Sequence, residues 1–116
     1  MFVGVMRLSF RIPSARSLKD RRRVVRSFKD RVHSRLRLSV AEVGGLDRHQ
    51  EAVLGVAVVA KDAARCDELL ASAGAMAGSV RDAVLVDRAT EIIAFGGDGG
   101  GLAAAVEPSF GWEEER

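Results

Sequence analysis

The chain has no asparagine and no tyrosine among its 116 residues, and it holds one cysteine, one tryptophan, two prolines and two histidines. Each shortage removes a class of chemistry. With Cys66 alone no internal disulfide can form, so an oxidising compartment gains no support. His33 and His49 stand apart, without the spacing of metal ligands. Without tyrosine, the chain is short of the aromatic groups on which exposed bases stack. No apolar run approaches the roughly 20 residues that cross a bilayer. Met1 to Arg7 lacks the basic start and long apolar stretch of a secretory leader. These absences lead to the expectation of a cytoplasmic protein with no membrane span, no metal and no cofactor.

What is present fits one soluble domain. Apolar residues make up 47% of the chain and charged ones 29%, and the length allows a single core but not two domains of ordinary size. The net charge of +2 conceals a strong polarity. Residues 7 to 37 contain twelve Lys or Arg against Asp20 and Asp30, whereas residues 38 to 116 contain six basic and fourteen acidic residues. Such asymmetry points to an anionic partner for the first part.

The order of elements follows from periodicity. FVGVMRLSFRI, 2 to 12, alternates up to Pro13, as a strand does, with Phe2, Met6, Leu8, Phe10 and Ile12 on one face. Val3, Val5, Arg7, Ser9 and Arg11 take the other. Ser17 and Asp20 form a helix start, and Leu18, Val25, Phe28, Val32 and Leu36 then recur at helical spacing to about residue 36. LSVAEV, 38 to 43, is a second strand ending at Gly44-Gly45, and AVLGVAVVA, 52 to 60, is a third, apolar on both sides as a central strand is. Asp62 caps a second helix with Cys66 on its inner face, and Gly74 and Gly78 are expected to fray its far end. AVLVDRATEIIAF, 83 to 95, is the fourth strand.

The reading is β-α-β-β-α-β. Each helix has one apolar stripe, so both must cover the same face of a four-stranded antiparallel sheet. This is an α+β, ferredoxin-like two-layer sandwich. Right-handed crossovers put the first and third strands at the centre. The domain spans 1–95. Residues 96–116 read as a Gly-rich spacer, GGDGGG, followed by a flexible tail in which Phe110 and Trp112 adjoin Glu113 to Glu115. That acidic-aromatic patch is a candidate to dock on the basic part of the chain.

At about 100° per residue, Lys19, Arg22, Arg23, Arg26 and Lys29 fall within a sector of about 120° on the first helix, opposite its apolar stripe. Intervening glutamates, which would stabilise a merely solvated helix face through i,i+4 pairs, are missing. The guanidinium fork suits phosphate oxygens. These five residues are the candidate nucleic-acid-binding set, contacting phosphates rather than bases. Glu42 is expected to face the core side, beside Val40, paired with an arginine such as Arg21 or placed at a sheet edge.

"SARSLKDRRRVVRSFKDRV", "LSVAEV" and "LGVAVVAKD" together resemble the YlxP-like bacterial domain-of-unknown-function family, over about residues 1 to 95. The resemblance carries over at Ser17, Leu18, Lys19, Arg21 and Arg22, and at Ser39, Val40 and Glu42. It implies the same fold, no established activity, and RNA or the ribosome as partner. Arg37 departs from it, standing where relatives typically have an asparagine suited to ending the helix.

Two other classes compete with a non-catalytic RNA- or ribosome-associated protein. One is a homodimeric assembly or regulatory module without nucleic acid, joined through Val3, Val5, Ala57 and Val59 on the helix-free sheet face. The other is a small phosphate-ester enzyme. Acylphosphatases of this architecture pair a loop arginine with a catalytic asparagine, and Arg16 has no such partner here. Cys66 reads as core, and the Gly-rich segment opens no helix as a phosphate loop would.

Overall fold

A computed structural model describes residues 1–96. The strands are β1 (Phe2–Arg11), β2 (Ser39–Gly44), β3 (Glu51–Ala60) and β4 (Val84–Ala94), and the helices are α1 (Leu18–Leu36) and α2 (Ala63–Gly78). The strands pair antiparallel in the order β2-β3-β1-β4, with β1 and β3 at the centre as the crossover rule requires. This is the expected ferredoxin-like sandwich. The spacer and acidic-aromatic tail fall, Gly96 apart, outside the described residues.

Alternation along β1 directs Met6, Leu8 and Phe10 into the core and leaves Val5 and Arg7 exposed on the other face. Opposite them on β3, Val56, Leu54 and Ala52 are buried, and register keeps these sets together, Met6 facing Val56 and Leu8 facing Leu54. Val25, Phe28 and Val32 of α1 close the core from above, with the Phe28 ring edge-on to Phe10 at 5.5 Å between centroids. α2 packs over β1, β3 and β4, and α1 over β2 and β3. The approach of α2 to β1 depends on Gly4, where a Cβ would lie 2.8 Å from Leu70 Cδ1.

The helix ends show how local chemistry sets boundaries. Ser17 is extended, and its hydroxyl accepts from the Asp20 N–H at 3.2 Å, while the Asp20 carboxylate accepts from the Arg16 N–H at 2.9 Å. Asp62 caps α2 in the same way, accepting from the Arg65 N–H at 2.9 Å. α1 ends at Arg37, which adopts the left-handed conformation at φ 59° and donates its N–H to the His33 carbonyl. The expectation that α2 frays from Gly74 is corrected: the helix continues to Gly78, and Gly74 is buried because the Arg88 guanidinium lies where its Cβ would be.

Candidate nucleic-acid interface

Arg21 decides which way α1 presents its charge. Its side chain is only 3% exposed, the Nε donates to the Glu51 carbonyl at 2.7 Å, and Nη2 sits 2.7 Å from Glu42 Oε1. The angle of that last contact does not make a hydrogen bond, so charge and proximity hold the pair. Glu42 therefore both pairs with Arg21 and lies on an edge strand, the two outcomes its position in the sequence allowed. With Arg21 directed at the sheet, the five candidate cations lie between about 80° and 200° around the helix from it. That sector points away from the sheet.

Lys19, Arg22, Arg23 and Arg26 are exposed and line one open groove along α1, together with Ser27, Asp30 and Arg31. Lys29 is half-buried and turned toward β2, in an adjoining depression with Arg22, Arg26, Asp30 and Glu42. The structure thus brings four of the five together and sets Lys29 on their flank. Among the described residues, none of the five makes an ion pair within 4.0 Å. The exposed pairs instead join Arg7 to Asp87, Arg48 to Glu51 and Arg65 to Glu68. Among the described residues, the carboxylates of Asp30 and Glu42 line the grooves of the ridge without an ion pair to any of the five.

Two further arginines stand outside the candidate set, Arg31 at the edge of the apolar stripe of α1 and Arg81. Arg31 is half-buried on the α2 side of α1, and Arg81 comes from the turn between α2 and β4 to face it across a groove. Nothing in the local pattern around Arg81 reveals this neighbour.

The sheet face without helices shows Val5, Ala57 and Val59 exposed, Val59 at 63%, while Val3 is half-buried. Val43 adds to it. A bulge between Glu42 and Gly44 leaves Val43 outside the β2–β3 ladder, with its Cγ1 3.2 Å from where a Gly55 Cβ would be. A shallow depression forms there, between Val5, Val43, Gly55 and Ala89.

Cys66 is fully buried, with its thiol donating to the Phe2 carbonyl at 3.6 Å, and His33 and His49 are exposed. Among the described residues no group of three His, Cys, Asp or Glu could hold a metal ion, and no helix is long and apolar enough to cross a membrane.

The fold and its basic helix define a small α+β domain with one strongly cationic surface. Residues 3–90 match the family model described as "Protein of unknown function (DUF503)", and the chain belongs to that family. No curated protein matches the chain.

Proposed function

We propose that this is a non-catalytic, cytoplasmic RNA- or ribosome-associated protein of the YlxP-like bacterial group, holding phosphate groups along α1. The observation that carries the reading is the groove shared by Lys19, Arg22, Arg23 and Arg26, with no ion pair to any of them among the described residues. Like charges at i,i+4, as at 19/23 and 22/26, destabilise an isolated helix. An anionic partner turns that cost into binding energy by displacing counterions. The helix-free face presents Val5, Ala57 and Val59 in place of stacking aromatics, so recognition runs through phosphates and shape. Crosslinking in cells, followed by sequencing of attached RNA and by ribosome co-sedimentation, tests the reading. Recovery of RNA or ribosomes by wild type and not by Arg22→Glu/Arg26→Glu is the expected result, and equal recovery overturns it.

A second reading concerns assembly. Val5, Val43 and Val59, at 38%, 59% and 63% exposure, make the open sheet face apolar for a free surface, which favours a homodimer joined there. The two readings use opposite faces and are compatible.

A further inference from the structure

A second cationic feature lies beside the ridge. Arg23, Ser27 and Arg31 follow one another at i, i+4 and i+8 on α1, so they form a single row along the helix. Across from that row stand Ser79, Arg81 and Asp82 of the turn between α2 and β4, and together they line an open groove of about 470 Å³. That size falls in the range of small-ligand sites. Three guanidinium groups share the groove with one carboxylate, leaving a local excess of two positive charges.

None of the three arginines makes an ion pair within 4.0 Å among the described residues, and neither does Asp82. Arg31 Nε is shut off from solvent without a hydrogen-bond partner. A buried donor left unmade is costly, and so is the convergence of like charges. One oxyanion in the groove would offset the converging like charges. The Ser27 hydroxyl adds a donor there, whereas the Ser79 hydroxyl is already given to the Met76 carbonyl at 3.1 Å.

We propose that the groove takes a terminal phosphate monoester of an RNA strand, clamped by Arg23, Arg31 and Arg81. A monoester carries a charge of about −1.5 to −2 at neutral pH, which matches the local excess better than the single charge of an internal diester. Arginine forks are suited to its several free oxygens. Arg23 and Arg31 line both the ridge and this groove, so a strand with internal phosphates on the ridge has its end in the groove. The choice of RNA rests on the function proposed above; the anion site rests on the groove alone.

Binding of the full chain to one short oligoribonucleotide tests this, with a 5′-phosphate, a 3′-phosphate or hydroxyls at both ends, and with adenosine monophosphate as a small probe. One phosphorylated end is expected to bind about tenfold tighter than the hydroxyl form, and the end that gains identifies the source. Arg81→Ala should erase that gain and leave binding of the hydroxyl RNA within about twofold, because ridge contacts remain. Arg81 is exposed in a turn, so the variant should fold; Arg81→Gln and thermal melting run alongside. Equal binding of all three RNAs, unchanged in both variants, overturns the groove and leaves the ridge standing. Binding of the monophosphate that depends on Arg81, with no binding of hydroxyl RNA, supports the groove and overturns the ridge. Binding of no probe overturns both.

Discussion

Arg21 and Glu42 form a buried bridge from α1 to the edge strand β2, 2.7 Å between Nη2 and Oε1 with the arginine side chain 3% exposed. The consequence is mechanical as well as electrostatic. Because the Arg21 Nε also holds the Glu51 carbonyl at 2.7 Å, α1 cannot roll without breaking contacts to two strands. Glu42→Leu should cost about 3 kcal/mol in urea unfolding, since it leaves a buried guanidinium without its counter-charge. Arg21→Met with Glu42→Leu should recover most of that loss. A single variant as stable as wild type would show that the pair holds nothing.

Reversing the ridge should separate binding from folding. If the five cations each neutralise one phosphate of a single strand, log K falls against log salt with a slope of roughly −3.5. Arg22→Glu with Arg26→Glu should make that slope shallower and weaken binding to many RNA sequences alike. Both side chains are exposed, so circular dichroism and the melting temperature should stay close to wild type. Unchanged affinity and slope in the folded double variant would reduce the ridge to a solvated helix face.

The open sheet face makes a prediction about assembly. Val59→Glu or Val5→Glu, at positions 63% and 38% exposed, should give a folded monomer by light scattering from a dimeric wild type. A wild type that is monomeric at high concentration removes the dimer.

Arg37 offers a stability test at the end of α1. A left-handed conformation costs a side-chain-bearing residue about 1–2 kcal/mol, and glycine gives back about half of that in unfolded-chain entropy. Arg37→Gly should therefore stabilise the fold by about 0.5–1 kcal/mol. Arg37→Asn should act in the same direction, because asparagine tolerates this conformation better. A loss of stability in both would mean that the arginine side chain makes up for its strained backbone.

The segment beyond Gly96 carries Asp98, Glu107 and Glu113 to Glu115. If it competes with RNA for α1, removing it should tighten binding, most clearly at low salt where screening is weak. Equal affinity of the shortened and full chains at low salt would end that idea.

Periodicity along the chain carried the architecture. A period of two in β1, helical spacing from Leu18 to Leu36 and a doubly apolar β3 leave one economical arrangement once crossover handedness is applied. Ser17 and Asp62 marked the helix starts because capping is chemistry within four residues, which a sequence displays directly. The solvent-facing ridge was legible for the same reason, since its members share one helix. What only the tertiary structure decided lies between elements. Arg88 packs over Gly74 inside a continuous helix, a bulge takes Val43 out of the β2–β3 ladder, and Lys29 lies beside Glu42. Arg81 shares a groove with Arg23 and Arg31 only because the α2–β4 turn comes to rest beside α1, a juxtaposition of residues fifty or more apart in the chain. Local spacing encodes which way a side chain points from its own element; the neighbour it then meets depends on how two elements pack, and no short stretch of sequence contains that.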